Sequence, residues 1–301
     1  SIDTAVSTQI EKEVELELRA ANLFREINVN SQATVLPIAP EAAAAQFVTS
    51  AADGNLTDGA AANTYRPQEV TLKAYRLMST SFIDNWTDEQ VLVNLLPMIT
   101  DGVARAHARA VDGMILNGVA DADPNVSSNQ AITGLSGHAA SSGDGASFSV
   151  DISANETLTG TTLMNARSKM GKYGINPSDV AYIVPTHRYF ELVSDSGFAD
   201  ITDVGSALAT KINGVIGTVF GSPVIVSDAF AAETPTAGET VAYAVNVRNF
   251  VIPRLRGVNV ESDYQVAAQR NLLVASQSLG FNQLVDGTST NQPCVKVVLV
   301  D

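Results

Sequence analysis

The chain has 301 residues, of which 45% are hydrophobic and 17% charged, with a formal net charge of −14. This composition supports one large or two modest folded domains, and the acidic excess disfavours a surface that grips nucleic-acid phosphates. No apolar run approaches the roughly 20 residues of a membrane helix, so we expect a soluble chain, and the single cysteine, Cys294, excludes an intrachain disulfide and a multi-thiolate metal site.

The first predicted element is an amphipathic helix over residues 8–26, TQIEKEVELELRAANLFRE. Its apolar positions recur at helical spacing from Ile10 through Leu18 and end at Phe24 or Arg25. The pattern fits a helix packed on its own domain and an arm packed on a neighbouring subunit equally well.

Residues 35–83 predict a long β-hairpin. The segment QEVTLKAYRLMSTSFI alternates its side chains and is rich in β-branched and aromatic residues, which is typical of one long strand. An Ala-rich segment and a loop of roughly 15 residues precede it. Because an isolated two-stranded ribbon is marginal in water, we expect this one to rest on a surface outside itself.

The next segment, residues 85–118, predicts the longest helix of the chain, which would measure about 40 Å. Its apolar residues, among them Val103 and Met114, recur every three or four positions. Thr87 and Gln90 form a capping box at its start, and Gly118 is placed to cap its end, with Pro124 blocking continuation. Pro97 would kink the helix or restart it as the first residue of a second segment. Strand and helix signals then alternate to the C-terminus, so the chain is predicted to be α+β without an internal repeat.

Asp121 and Asp123 begin a string that resembles a calcium-binding loop. That loop needs glycine at its sixth position and glutamate at its twelfth, where this chain has Val126 and Ile132. We therefore reject the calcium motif and expect the two aspartates to face solvent or a basic residue of a neighbouring subunit.

No catalytic set emerges from the candidate residues. Ser136, in GLSGH, lacks the glycine spacing of a nucleophile elbow and is interpreted as part of a surface turn. His107 is expected on a solvated helix face, and His187 could act as a base only if the fold brought an acid and a nucleophile to it. His138 completes the three histidines, and no pair has metal-ligand spacing, so we expect no catalytic residue, metal or cofactor.

The order of these features resembles the major capsid proteins of tailed double-stranded DNA phages with the Hong Kong 97-type fold. The passage EVTLKAYRLMSTSFI into DEQVLVNLLPMI, the helix end VDGMILNG and the strand GSPVIVSD carry the resemblance. Each motif is weak alone, and the correspondence runs from about Thr34 to the C-terminus.

The resemblance implies an α+β fold with four parts. These are an N-terminal arm (1–34), an extended hairpin loop (35–83), a peripheral domain with a long spine helix (84–130 and 251–301), and an axial domain (131–250). A start at Ser1 would then be the end left when a maturation protease removes a scaffolding segment.

The same resemblance implies a structural protein rather than an enzyme. It would self-assemble into pentamers and hexamers that form an icosahedral head in the virion, with assembly in the host cytoplasm. Portal, scaffold and possibly decoration proteins would be partners, and double-stranded DNA would be contained rather than specifically bound. No membrane partner is implied.

Some members of this family join a hairpin lysine covalently to an asparagine with help from a glutamate. Here Lys73 and Asn271 resemble the reacting pair, but Ser278 stands at the position of the glutamate, so we expect no isopeptide bond. The residues expected at subunit interfaces are Phe24, Arg25, Tyr65, Arg66, Lys73, Arg76, Asp121, Asp123 and Asn271.

Two alternative functions stay open at this point. An encapsulin-type cellular compartment would use the same fold, although processing at Ser1 and the long hairpin tip favour a phage shell. A soluble hydrolase would use His187 or Ser136.

Overall fold

The computed structural model describes residues 20–39, 68–84, 96–118, 132–140, 149–153, 156–194, 198–200, 215–230, 240–288 and 290–300. Its helices are α1 (Leu96–Asn117), α2 (Leu135–Ala140), α3 (Gly160–Lys169) and α4 (Thr186–Val193). Within those ranges, none of the helices is long and apolar enough to cross a bilayer.

The described strands form three sheets. The first seven strands are β1 (Arg25–Asn28), β2 (Ala33–Ile38), β3 (Gln68–Lys73), β4 (Tyr75–Asp84), β5 (Ser149–Ser153), β6 (Val180–Pro185) and β7 (Phe198–Asp200). The others are β8 (Val215–Val219), β9 (Ser222–Ser227), β10 (Thr240–Asn246), β11 (Phe250–Gln265), β12 (Arg270–Leu279), β13 (Asn282–Gln283) and β14 (Cys294–Val300). A seven-stranded mixed sheet has the order β5-β14-β10-β6-β9-β8-β7, and a five-stranded sheet has the order β1-β11-β12-β4 with β13 beside β11. Strands β2 and β3 form a separate two-stranded sheet.

The centre of the seven-stranded sheet is covered on both faces. Every residue of β6 is buried, which explains its continuous apolar run VAYIVP. Tyr182 and Val184 belong to the core cluster that includes α3 and α4, whereas Ala181 and Ile183 belong to the cluster that includes α1 and α2. Successive side chains of a strand point to opposite faces, so these two helix pairs lie on opposite sides of the sheet.

Helix α1 has 22 residues and is about 33 Å long. Pro97 is the second residue of the described helix, a position where a missing backbone donor costs nothing. The expected capping box at Thr87 and Gln90 lies outside the described residues.

Gly118 follows the last residue of α1, at a point where the backbone of Ile132 and Gly134 comes close to it. Its N–H donates to the Met114 carbonyl oxygen at 2.9 Å, and its own carbonyl accepts from the Gly134 N–H at 2.7 Å. A Cβ atom at Gly118 would lie 2.5 Å from the Ile132 carbonyl oxygen. The glycine is required by this contact and not by a left-handed backbone, because Gly118 is not among the residues with positive φ.

The segment expected to be one long hairpin strand is divided at Ala74. Strand β3 pairs with β2, and Lys73 lies opposite Ala33 in this pair. Strand β4 instead pairs with β12 in the five-stranded sheet. Ala74 is buried and its N–H donates to the Gln32 carbonyl oxygen at 2.9 Å, so the chain changes sheet at this residue. The expected loop between the two hairpin strands lies outside the described residues.

The N-terminal helix predicted through residue 26 is wrong at its C-terminal end. Residues Ala20–Leu23 form a 3-10 turn, and β1 runs parallel to β11 with Arg25 opposite Val251. Residues 1–19 lie outside the described part of the chain. The expected domain boundaries keep residues 251–301 together in the peripheral domain. In the structure, β11 and β12 lie in the five-stranded sheet, whereas β14 pairs with β10 and β5 in the seven-stranded sheet.

Candidate subunit interface

The arm is fixed to α1 by a buried carboxylate. Asp112 is 3% exposed, and its two oxygens accept hydrogen bonds from the Ala20 and Ala21 N–H groups, both at 3.0 Å. A helix interior rarely buries an aspartate without partners, since an unpaired buried charge is costly. The helical pattern gave no sign of this role of Asp112.

Phe24 follows that turn and packs inside its own chain. Its ring meets Phe281 at 5.1 Å between centroids and Phe250 at 6.0 Å, both edge-on, and the residue is 5% exposed. The side chain therefore has little surface left for a neighbouring subunit, in contrast to our expectation. Arg25, the next residue, is exposed.

The base of the hairpin rests on a small apolar cluster. Leu72 and Ala74 are buried together with Val29 and Val251. The adjacent Lys73 is exposed, and its backbone N–H donates to Asn282 Oδ1 at 3.2 Å. The cluster fixes where the two-stranded ribbon leaves the body and directs Lys73 towards solvent.

One face of the five-stranded sheet carries exposed apolar side chains. On β4, Met78 is 51% and Phe82 60% exposed, and the guanidinium of Arg270 lies 4.8 Å from the Phe82 ring centroid. Arg76 lies on the same alternation and is also exposed. Together these side chains form an apolar patch with basic ends, a composition found at protein interfaces.

The opposite face of that sheet packs on α1. Ser79 Oγ lies 2.7 Å from His107 Nε2, and His107 is 2% exposed. The expectation of a solvated His107 is therefore wrong, and burial lowers its pKa. The spacing of Val103, His107 and Val111, each four residues apart and each buried, was the signal that could have found it.

Asn271 and Lys73 lie far apart within one chain. On β12, Asn271 is opposite Ile83, whereas the start of β4 at Tyr75 is opposite Leu279, eight residues further along. At the rise of a β-strand, Asn271 lies about 26 Å along β12 from Leu279, the residue opposite the start of β4 that follows Lys73. A bond between Lys73 and Asn271 would therefore have to join two subunits. The remaining interface candidates, Tyr65, Arg66, Asp121 and Asp123, lie outside the described residues.

The residues of the hydrolase hypothesis do not meet. Ser136 lies on α2 and His187 on α4, and those helices pack on opposite faces of the seven-stranded sheet. A nucleophile and its base must lie within hydrogen-bonding distance. Burial and the Arg188 charge lower the pKa of His187.

The segment GLSGH is a short helix and not the surface turn that we expected. His138 packs edge-on against Phe250 at 5.6 Å between ring centroids, and burial lowers its pKa to about 4. In the part of the chain that the structure describes, no three His, Cys, Asp or Glu residues are grouped to hold a metal ion.

Comparison with known proteins finds similarity to a phage capsid protein. The chain is 28% identical over 295 residues to the major capsid protein of Escherichia phage T5, covering 96% of this chain and 62% of that protein. No protein-family model matches. The chain therefore spans less than two thirds of the length of this relative.

Solved structures share the fold at low sequence identity. A structure from Mycobacterium phage Bobi has a TM-score of 0.68 and 13% identity, covering 100% of this chain and 96% of that one. The capsid of an empty GTA particle has a TM-score of 0.67 and 12% identity over 100% and 96% of the two chains. The mature capsid of bacteriophage PhiM1 has a TM-score of 0.59 and 11% identity over 98% and 91%. The predicted α+β, Hong Kong 97-type capsid fold is thus confirmed, as is the resemblance to tailed-phage major capsid proteins.

Proposed function

We propose that the chain is the major capsid protein of a tailed phage, one subunit of a closed shell built from many copies. The observation that carries this proposal is the similarity to the T5 major capsid protein along 96% of the chain, together with the capsid fold. The same similarity favours a structural role over an enzymatic one. The hydrolase alternative would need Ser136 and His187 in one site, and they lie on opposite faces of the seven-stranded sheet.

The two large sheets correspond to the two domains of the proposed shell subunit. We assign the seven-stranded sheet with α3 and α4 to the axial domain, and the five-stranded sheet with α1 to the peripheral domain. Strand β14 then belongs to the axial sheet, which revises the boundary expected at residue 251. Asp112 joins the arm to the spine helix, so the arm leaves the body at a fixed point.

Assembly would use several modest interfaces per subunit. The ribbon of β2 and β3 is anchored at its base by Leu72 and Ala74, and Met78 and Phe82 are exposed on one face of the five-stranded sheet. Interfaces of this kind, repeated by symmetry, make a stable closed shell while each contact stays weak enough for errors to dissolve.

Pentamers and hexamers would be the assembly units, with portal, scaffold and possibly decoration proteins as partners. Double-stranded DNA would be enclosed without specific binding. The net charge of −14 suits a container whose wall does not adsorb the DNA that it receives.

Electron microscopy of the purified full chain tests the proposal. We expect closed shells or the pentameric and hexameric rings that build them. A protein that stays monomeric in sedimentation velocity at every concentration would contradict it. Particles from the native source that contain protein cargo, and no nuclease-protected DNA, would instead support the encapsulin-type compartment.

A further inference from the structure

The outer half of β11 has an open backbone edge. Strand β12 pairs with one edge of β11 from Arg254 to Gln265, whereas β1 pairs with the other edge only from Val251 to Arg254. Among the described strands, none continues β1 along that second edge. The backbone groups on that side, from Leu255 onwards, therefore have no described strand as a partner, and such an edge is a template for a further strand.

The side chains along this edge are exposed on both faces of the sheet. All residues from 255 to 264 are exposed apart from Asn259, which is partly exposed. They include Val258 and Val260, whose β-branched side chains favour strand pairing. Natural edges are often protected by lysine or proline, and the segment LRGVNVESDY contains neither. These residue types therefore leave room for a second strand.

A bulge in β11 brings its charged side chains onto one face. Between Arg256 and Asn259 the strand has two residues where β12 has one. As a result, four polar residues of β11 lie opposite every second residue of β12, and these are Arg256, Asn259, Glu261 and Asp263. Opposite residues of an antiparallel pair share a face, so the four side chains point to the same side of the sheet.

The charges are arranged symmetrically about Val260. With the bulge counted as one position, Arg256 lies three positions before Val260 and Asp263 three positions after it, and Asn259 and Glu261 are its direct neighbours. A two-fold axis at Val260 would therefore place Arg256 of each copy opposite Asp263 of the other, and Asn259 opposite Glu261. In the described part of the chain Asp263 has no ion pair, and Arg256 reaches Glu261 only at 3.7 Å.

Neighbouring registers fit less well. With the axis at Glu261, two glutamates would lie opposite each other, which is destabilising. With the axis at Asn259, the pairing would end at Glu261, because Ser262 would then lie opposite Arg254, whose outer edge is occupied by Asn28. The axis at Val260 extends the pairing by two residues and opposes only neutral groups or unlike charges.

We propose that the open edge of residues 255–263 pairs antiparallel with the same edge of a second copy of this chain, about a two-fold axis at Val260. A two-fold contact needs a surface that matches itself, and the positions of Arg256 and Asp263 meet that requirement. Main-chain hydrogen bonds would supply the affinity, and the paired charges would set the register. The inference rests on the proposed function, since a shell of many copies supplies the partner.

Disulfide formation between engineered cysteines tests the register. Val260→Cys places two thiols opposite each other with Cα atoms about 5 Å apart, which a disulfide can span. Ser262→Cys is the matched control, because Ser262 and its copy would lie four positions apart, about 14 Å. The native Cys294 is 1% exposed and does not compete.

The measurement is a non-reducing denaturing gel of assembled protein after oxidation with copper phenanthroline. We expect Val260→Cys to give a band at twice the subunit mass of 31.6 kDa. Its yield should exceed that of Ser262→Cys at least about tenfold, because the control thiols are out of reach.

Charge exchange gives a second measurement. Arg256→Asp and Asp263→Arg each place like charges opposite each other, so each should weaken association in sedimentation velocity at least about fivefold. The double variant restores unlike charges and should recover most of the loss. Both side chains are exposed, so the melting temperature of the variants should stay close to that of the unmodified chain.

Equal dimer yields from Val260→Cys and Ser262→Cys would overturn the strand pairing. An assembled Val260→Cys protein without dimers would also overturn it, and a strand from a different protein on this edge would produce that result. The unmodified chain is measured beside the variants. If it assembles while Val260→Cys does not cross-link, the strand pairing alone is wrong, whereas a chain that stays monomeric would count against the proposed function as well.

Discussion

The carboxylate of Asp112 accepts a hydrogen bond from the backbone N–H of Ala20 at 3.0 Å, which joins the C-terminal part of the longest described helix to the arm that precedes β1. The second oxygen binds the Ala21 N–H at the same distance. Both contacts are to one charged group that is 3% exposed. Asp112 therefore adds a buried polar anchor to the arm, beside the pairing of β1 with β11 and the packing of Phe24.

Replacing Asp112 by alanine should lower the free energy of unfolding by about 2–4 kcal/mol, because two backbone donors lose a charged acceptor in a buried site. Urea unfolding followed by circular dichroism measures the loss. Asp101→Ala is the matched control on the same helix, since Asp101 is 45% exposed and pairs with Arg105 at 3.2 Å. That change should cost no more than about 0.5 kcal/mol. Similar losses in both variants would contradict the anchoring role of Asp112.

The partly buried position of His138 should make the fold sensitive to acid. Burial lowers its pKa to about 4, against an ordinary value of 6.5. The unfolded chain then binds more protons between these two values, so the stabilisation is complete above about pH 6.5 and is lost as the pH falls towards 4. The Asp286 charge acts in the opposite direction and is the smaller effect.

His138→Phe should flatten this part of the pH dependence, because phenylalanine does not titrate and would still contact Phe250 and Phe281. Unfolding free energies at pH 7 and pH 5 give the comparison. The unmodified chain should lose more stability between these values than the variant. Parallel pH profiles would show that His138 does not control the acid sensitivity.

Gly118 and Gly102 should respond in opposite ways to alanine. A Cβ at Gly118 would lie 2.5 Å from the Ile132 carbonyl oxygen, so Gly118→Ala should cost several kcal/mol, on the order of 3. Gly102 lies inside α1 with nothing within 4 Å of such an atom. Gly102→Ala should therefore stabilise the chain by up to about 1 kcal/mol. Thermal unfolding of both variants measures this, and a loss in both would refute the packing argument.

Subunits of assembled particles should separate completely in denaturing gels. The resemblance to capsid proteins implies that Ser278 takes the place of the glutamate that cross-linking members use, so we expect Lys73 and Asn271 to lack the group that would assist their reaction. The expected result is one band at the subunit mass of 31.6 kDa. A ladder of multiples that disappears in Lys73→Ala would show that the cross-link forms without the glutamate.

Local patterns were sufficient for much of the fold. The alternation in residues 68–83 predicted strand, and the apolar spacing around Val103 and Met114 predicted the long helix that the structure contains. Periodicity is set by the geometry of the backbone, which explains why it can be detected in a short window of sequence. The order of these elements was sufficient for the resemblance to capsid proteins.

Pairings between distant segments could not be detected in this way. Arg25 and Glu26 end the helical pattern in the sequence and become part of β1 because β11 offers them hydrogen-bonding partners. Strand β14 lies at the end of the chain and inserts between β5 and β10. In β1 the tertiary contact outweighs a weak local preference, whereas in β14 it decides which strands are the partners.

The candidate interface shows the same division. The sequence by itself determined that Lys73 and Arg76 lie in strand, because the side chains of residues 68–83 alternate; the division of that strand at Ala74 came from the structure. Only the tertiary structure decided that Phe24 is buried and that Phe82 is exposed. Whether a side chain is buried depends on what packs above it, and that surface is supplied by residues far away in the sequence.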